Sequence, residues 1–149
     1  MSSEYLNAVI QMSAVLTVKT GLVALFTVRA RLMSKTFNFK TESTNMLGAA
    51  FGPFLATFIP MGGSADMVQV GERVSLNNAT NEPITVALAL AGALAASPPP
   101  VILVKTFMYS RIAHNLSFFL MDYISAIPRT TFFSTGMVAS FLMAGVLVM

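Results

Sequence analysis

The sequence predicts an all-α integral membrane protein, folded as a bundle of four transmembrane helices. Hydrophobic residues make up 55% of the 149 positions and charged residues only 10%, and the mean hydropathy is +0.72. Soluble domains use about a quarter of their residues for charge, so nine basic and six acidic side chains are too few to cover a water-exposed surface. In addition, apolar stretches of about 20 residues, enough to cross the hydrocarbon core, recur along the chain.

Four stretches are long enough to be membrane spans, and we treat the chain as a single membrane domain. The predicted spans cover about residues 5–32, 72–96, 101–121 and 129–149. The first ends in a basic cluster that begins at Arg29, and the second stops at Ser97 and the three prolines that follow it. By the positive-inside rule, the basic cluster marks the cytoplasmic or matrix side of the membrane.

The stretch 45–63 is also apolar, but several glycines and prolines interrupt it. Membrane helices tolerate both residue types, so a fifth span is compatible with the sequence. We favour an interfacial or re-entrant segment because of charge. With four spans, Arg129 falls on the same side as the basic cluster between Arg29 and Lys40, whereas a fifth span would separate these basic ends.

Composition also excludes several classes of site. The chain has no cysteine and one histidine, so neither a disulfide framework nor a Cys- or His-based metal site is expected. The net charge of +3 is small and scattered, which argues against nucleic-acid binding.

Polar side chains within the predicted spans are the candidates for function. An ionisable group at membrane depth costs roughly 2.5–3.5 kcal/mol on insertion scales, so it usually faces the bundle interior or a water-filled cavity. The second span has polar residues at the spacing i, i+4, i+7 and i+8, which places them on one helical face. These residues are Arg73, Asn77, Thr80 and Asn81.

The third and fourth spans add polar residues of the same kind. Arg111, His114 and Phe118 stand at i, i+3 and i+7 of the third span, and Arg129 and Thr130 begin the fourth. Together with the face on the second span, they predict a cationic, hydrogen-bonding pocket toward the basic side of the membrane. Arginine can hold a carboxylate in a bidentate fork, so the pocket suits an anionic, peptide-like ligand.

Simpler interpretations apply to the same residues. A polar stripe on a membrane helix often only holds helices together, and His114 alone is more often a structural residue than a catalyst. Lys105 lies near the proline-rich end of its span, where its side chain can extend to the interface. Lys19 lies in the middle of the first span, so we expect it to pair with an acid on another helix.

Three segments resemble the MAPEG family, the membrane-associated proteins in eicosanoid and glutathione metabolism. They are VRARL at 28–32, preceded by Lys19, then RIAHN at 111–115 and PRTTFF at 128–133. Within the family they are most similar to the microsomal glutathione transferase and microsomal prostaglandin E synthase branch. The second span matches more weakly, since Arg73, Asn77 and the Thr80-Asn81 pair stand against R-A-x-x-N-x-x-E-N in the family.

The resemblance implies a homotrimer in which glutathione lies between neighbouring subunits near the cytoplasmic side, while a lipophilic substrate arrives from the bilayer. We expect an endoplasmic reticulum membrane, with a mitochondrial membrane as the alternative. Arg129 stands where the family has its thiolate-stabilising arginine, and Thr130 keeps a hydroxyl beside it. The other residues that the resemblance assigns to glutathione binding are Arg31, Arg73, Asn77, Arg111, His114 and Phe118.

The chain also departs from the family at positions that would contact glutathione. Thr80 replaces the glutamate of the second span, and Phe118 replaces a tyrosine. Glu82 lies about 200° away from Thr80 around a helix, so it can fill the missing role only after a shift in register. Each lost hydrogen bond that leaves a buried partner unpaired costs roughly 1–3 kcal/mol.

Two functions therefore stand side by side. One is a glutathione-dependent transferase, isomerase or peroxidase that acts on lipophilic substrates through a bound thiolate. The alternative is a non-catalytic, MAPEG-like structural subunit of a larger membrane complex, for example in a mitochondrial membrane. They differ in whether the arginines of the predicted pocket converge on one open site or pair with acids such as Glu72 and Glu82.

Overall fold

The computed structural model describes residues 3–34, 65–120 and 126–149, and this part of the chain is helical without any strand. The helices are α1 (Ser3–Ser34), α2 (Ala65–Leu94), α3 (Val101–Phe119) and α4 (Ala126–Val148). The all-α, four-helix prediction is confirmed for these residues. The predicted interfacial or re-entrant segment, 45–63, lies outside them, and the homotrimer stays a prediction.

The helix ends differ from those expected from hydropathy. Helix α2 begins at Ala65, well before the predicted start at Glu72, and α4 begins at Ala126, before Arg129. Both predicted starts were placed at a charged residue, whereas helical backbone hydrogen bonds do not depend on side-chain charge and continue through the residues before it. Helix α2 ends at Leu94, ahead of the prolines at 98–100, which fits the poor tolerance of α conformation before proline.

The chain divides into two compact units. The first comprises residues 1–19 and 78–149, and the second comprises residues 20–77. Helices α1 and α2 each contribute one part to both units, whereas α3 and α4 belong entirely to the first.

The first unit holds an apolar core to which all four helices contribute. Small residues allow the close packing that membrane helices favour. A Cβ atom on Gly92 would lie 2.5 Å from the Tyr5 hydroxyl oxygen, and one on Gly136 would lie 2.6 Å from Ser110 Oγ. The buried members of the core are Tyr5, Ala8, Val9, Met12, Leu16, Ala89, Ala93, Val104, Phe107, Met108, Ala139 and Met143.

In the second unit, the end of α1 packs against the start of α2. Thr27 is buried and donates its hydroxyl hydrogen to the carbonyl oxygen of Val23 at 2.8 Å. A Cβ atom on Gly71 would overlap the Thr27 side chain, so glycine is required at this contact. Arg31 and Glu72 form an ion pair at 2.8 Å between the same two segments.

The four helices expose apolar side chains and bury polar ones. Large exposed apolar residues include Ile10, Leu94, Ile102 and Phe141. Among the described helices, α1 and α4 contain segments long and apolar enough to cross a membrane, Ser3–Arg31 and Ile127–Val148. This distribution suits lipid, in which apolar groups face outward and backbone hydrogen bonds are satisfied within helices. Membrane crossing by α2 and α3, which carry most of the buried polar groups, stays a prediction.

Candidate functional site

The buried polar face of α2 is not the face expected from the sequence. Asn78, Glu82 and Thr85 are almost fully buried, whereas Arg73 and Thr80 are exposed. Of the predicted face of Arg73, Asn77, Thr80 and Asn81, only the two asparagines are half-buried in a single chain, and the role of these residues in ligand binding stays a prediction. The reason for the difference in face is electrostatic, because burying the Glu82 carboxylate requires cationic partners, and those partners lie beside Glu82.

Those partners are Lys19 on α1 and Arg111 on α3. The Lys19 ammonium donates to Glu82 Oε1, and Arg111 Nε donates to the same oxygen at 3.3 Å. Both cations also reach Asn78 Oδ1, Lys19 Nζ at 3.2 Å and Arg111 Nη2 at 3.4 Å. The expected pairing of Lys19 with an acid on another helix is confirmed, and the acid is Glu82. We call these four residues the ionic cluster.

The ionic cluster is deeply buried, which determines how strong its interactions are. The side chains of Lys19, Glu82 and Arg111 are 11%, 7% and 1% exposed. Ions this deep in a low-dielectric interior are costly without partners. Arg111, which the sequence places in the ligand pocket, is thus engaged by an acid of its own chain.

A second constellation lies between α3 and the start of α4. His114 Nδ1 donates to the carbonyl oxygen of Arg129 at 3.0 Å. The Arg129 guanidinium carbon lies 4.8 Å from the centre of the Phe118 ring, and the Arg111 guanidinium carbon lies 5.8 Å from that of Phe133. The His114 ring lies 5.0 Å from Phe118 and 5.5 Å from Phe133, centre to centre. We call these five residues the aromatic clamp.

An open groove of about 500 Å³ runs along α3 and α4, and its lining includes Thr130, the residue that follows Arg129 in the sequence. Two hydroxyls in it bond to their own helix, Thr131 to the Ile127 carbonyl at 3.0 Å and Thr135 to the Thr131 carbonyl at 2.8 Å. The groove's exposed surface is mainly apolar, so it suits an apolar molecule. Its lining residues are Leu103, Thr106, Thr130, Thr131, Ser134, Thr135, Val138, Ala139 and Leu142.

The second unit holds the other predicted ligand residues and one that the sequence analysis missed. Arg31 is paired with Glu72, Arg73 is exposed and Asn77 is half-buried. Arg29 is only 6% exposed, yet its Nε and Nη1 atoms have no hydrogen-bond partner among the described residues. Buried guanidinium nitrogens without acceptors are expensive, so Arg29 is a candidate for an anionic ligand that would accept from Nε and Nη1. The sequence had placed it in the positive-inside cluster and in the VRARL segment at 28–32, without a role in ligand binding.

The predicted site residues therefore fall into two groups. In the first unit, Arg111, His114, Phe118 and Arg129 meet in the aromatic clamp, and Thr130 lines the adjacent groove. Arg31, Arg73 and Asn77 belong to the second unit. No group of three or more His, Cys, Asp or Glu side chains in the described part of the chain is arranged to hold a metal ion.

Comparison with known proteins gives one match. No curated protein matches the sequence, and no solved structure matches it. The model of the MAPEG family matches residues 9–149, which span both units and include every predicted site residue. The chain belongs to the MAPEG family.

Proposed function

We propose that this protein is a glutathione-dependent membrane transferase, isomerase or peroxidase that acts on lipophilic substrates. The observation that carries the proposal is the position of Arg129. Its guanidinium is held at the start of α4, and the adjacent Thr130 lines the groove between α3 and α4. The arginine that would stabilise a thiolate is therefore one residue away in the sequence from the wall of a space that suits an apolar substrate. Membership of a family generally associated with glutathione supports the same function.

The chemistry follows from the thiolate. The ionised sulfur is the nucleophile, and a fixed positive charge close to it favours ionisation. Arg129 supplies that charge, and the Thr130 hydroxyl donates a hydrogen bond to the sulfur. Glutathione, when bound, would lose its thiol proton to solvent and supply the nucleophilic sulfur for attack on an electrophilic carbon, whose leaving group would depart with the electron pair. Placing donors where charge develops is the usual way in which such steps are accelerated.

The remainder of glutathione needs anchors for its carboxylates. Arg29 is the strongest candidate because its guanidinium is buried and Nε and Nη1 lack partners among the described residues. Arg31 is a weaker one, since Glu72 already accepts its hydrogen bond at 2.8 Å. Arg73 and Asn77 complete this group. In a homotrimer, the second unit of one subunit supplies these anchors and the aromatic clamp of its neighbour supplies the thiolate site.

The lipophilic substrate enters the groove from the bilayer. The groove is lined mainly by apolar surface, and the helices around it expose large apolar side chains such as Ile102 and Leu142. An apolar molecule can therefore reach the start of α4 without crossing water. The proposed location is the endoplasmic reticulum membrane.

One observation favours the alternative, a structural subunit of a larger membrane complex. Arg111 is 1% exposed and bonded to Glu82, so the ionic cluster ties three helices together and leaves this arginine engaged. Bracing of this kind serves a scaffold as well as an enzyme. The replacement of the family's glutamate and tyrosine by Thr80 and Phe118 is in keeping with it.

Calorimetric titration of the detergent-purified protein with glutathione separates the two functions. The enzyme should bind glutathione in the micromolar-to-millimolar range. Arg29→Gln should weaken binding by roughly 10- to 100-fold, because hydrogen bonds to charged groups contribute about 1.5–3 kcal/mol. Arg31→Gln is the matched control and should have a smaller effect, since exposed ion pairs contribute about 0–1 kcal/mol.

Failure of the unmodified protein to bind glutathione at several millimolar would rule out the enzyme and leave the structural subunit. Equal effects of the two substitutions would leave glutathione binding intact but remove Arg29 as its specific anchor.

A further inference from the structure

We infer that Phe118 is a positioning residue, whose ring fixes the Arg129 guanidinium at the thiolate site instead of contacting glutathione itself. This inference rests on the proposed function. It assigns Phe118 a role different from the ligand contact that the resemblance implied. The evidence is the geometry of the aromatic clamp.

Arg129 is held at two points. Its guanidinium carbon lies 4.8 Å from the centre of the Phe118 ring, within the distance of about 6 Å at which a cation is attracted to a ring face. Its carbonyl oxygen accepts the hydrogen bond from His114 Nδ1 at 3.0 Å. One contact fixes the backbone and the other the end of the side chain, so the flexible carbon chain between them is restrained.

The Phe118 ring is itself held in a suitable orientation. The rings of His114 and Phe118 are 5.0 Å apart and meet at 89°, the edge-to-face arrangement that aromatic pairs prefer. His114 and Phe118 are also one turn apart on α3, so helix geometry maintains their contact. His114 therefore supports Arg129 both directly and through the ring.

Arg111 shows why the ring matters for Arg129 in particular. The two arginines have reciprocal contacts, because Arg111 on α3 faces Phe133 on α4, and Arg129 on α4 faces Phe118 on α3. Arg111 is also fixed by Glu82, and its ring contact is longer, at 5.8 Å. No ion pair with a carboxylate is found for Arg129 among the described residues, so the Phe118 ring takes the place of an anchoring acid. An acid there would neutralise the charge that the thiolate needs.

Phe118 has no hydroxyl group, so substitutions at this position can test the contact of the ring with Arg129 separately from hydrogen bonding. The family's tyrosine at this position can both stack and donate a hydrogen bond, whereas phenylalanine can only stack. If stacking is the function, Phe118→Tyr should preserve it and Phe118→Met should remove it with little change in side-chain volume. Phe141→Leu is the matched control, because Phe141 lies on the exposed face of α4 at 68% exposure.

The experiment follows the thiolate of bound glutathione by its ultraviolet absorbance as a function of pH. It also measures kcat and KM with an aryl halide as a model electrophile. Loss of a partly desolvated cation–ring contact should change the equilibrium that it stabilises by a factor of about ten. Phe118→Met should thus reduce both the thiolate fraction at neutral pH and kcat by about tenfold. The KM for glutathione should change much less. Phe118→Tyr and Phe141→Leu should behave like the unmodified protein.

Among the described residues, the charged groups that act on the His114 ring are Arg111, Lys19 and Arg129, and these variants change none of them. An unmodified protein that binds glutathione as a thiolate, with Phe118→Met indistinguishable from it, would overturn the inference and leave the proposed function standing. A loss of thiolate that Phe118→Tyr shares would also overturn it. If the unmodified protein shows no thiolate, the proposed function fails, and the positioning role fails with it.

Should Phe118→Met not fold, Phe118→Leu gives the same comparison. For each variant, the yield of detergent-purified protein and the thermal unfolding curve are checked before the titration. A rise in KM with kcat unchanged, in either variant, would indicate that Phe118 contacts glutathione directly and would contradict the positioning role.

Discussion

The ionic cluster offers the sharpest test of how this bundle is held together. Replacing Glu82 with glutamine keeps the shape of the side chain and removes its charge. Lys19 and Arg111 then lose the carboxylate oxygen to which both donate. The Lys19 side chain is 11% exposed and that of Arg111 is 1% exposed, so water can screen neither cation effectively.

Breaking a buried ion pair by removing one partner costs about 3–5 kcal/mol, because the remaining charge is left in a low-dielectric interior. Two cations share this carboxylate, so we expect Glu82→Gln to lower the free energy of unfolding by an amount near the top of that range. Asn78 Oδ1 still accepts hydrogen bonds from both cations, at 3.2 Å from Lys19 and 3.4 Å from Arg111, which offsets only part of the loss.

The assay is reversible unfolding in nonionic detergent with increasing sodium dodecyl sulfate, followed by circular dichroism. Glu72→Gln is the matched control. It removes the acid of the exposed Arg31 pair, which is 48% exposed on the Glu72 side, and should cost less than about 1 kcal/mol. Adding Lys19→Met to Glu82→Gln should recover part of the loss. A loss below about 1 kcal/mol for Glu82→Gln, or no recovery in the double variant, would refute the reasoning.

Two further substitutions test the packing of the first unit in the same unfolding assay. Asn115 is 3% exposed, and neither its amide nitrogen nor its amide oxygen has a partner among the described residues. Asn115→Leu should therefore raise the free energy of unfolding by about 1–3 kcal/mol. A loss of stability would show instead that the amide is hydrogen-bonded in the folded protein. Gly92→Ala should lower the free energy of unfolding by about 1–3 kcal/mol, since the new Cβ atom would lie 2.5 Å from the Tyr5 hydroxyl oxygen. An unchanged midpoint of the unfolding transition would mean that the two helices have room for a methyl group here.

Much of the fold could be predicted from composition and hydropathy. A chain with so few charges must cover itself with apolar groups, and apolar runs of membrane length can satisfy their backbone only as helices. The helix starts were less accurate because both were placed at a charged residue, Glu72 and Arg129, although a helical backbone can continue through such a residue.

The orientation of α2 could not be obtained in the same way. Asn77 and Asn78 are adjacent and chemically identical, and spacing alone does not say which of them faces inward. The choice depends on Glu82, whose burial requires Lys19 and Arg111 from distant parts of the chain. Sequence spacing gives the angle between two residues on a helix, whereas tertiary contacts determine which face is buried.

In the candidate site, too, sequence spacing predicted some contacts, and tertiary packing determined the others. Arg111, His114 and Phe118 are close in sequence on one helix face, so their meeting with Arg129 needed only the packing of α3 against α4. Arg29 was missed because an arginine at the end of a membrane helix normally marks the cytoplasmic side. Its burial without a partner is visible only in the folded chain.

The central claim is that Arg129 stabilises a glutathione thiolate. It is tested most directly by the ultraviolet difference spectrum of glutathione added to the purified protein and to Arg129→Ala, at a pH below the thiol's usual pKa. The account predicts a thiolate band with the unmodified protein and its loss in Arg129→Ala. A band of equal size in both proteins, or no band in either at saturating glutathione, would contradict it.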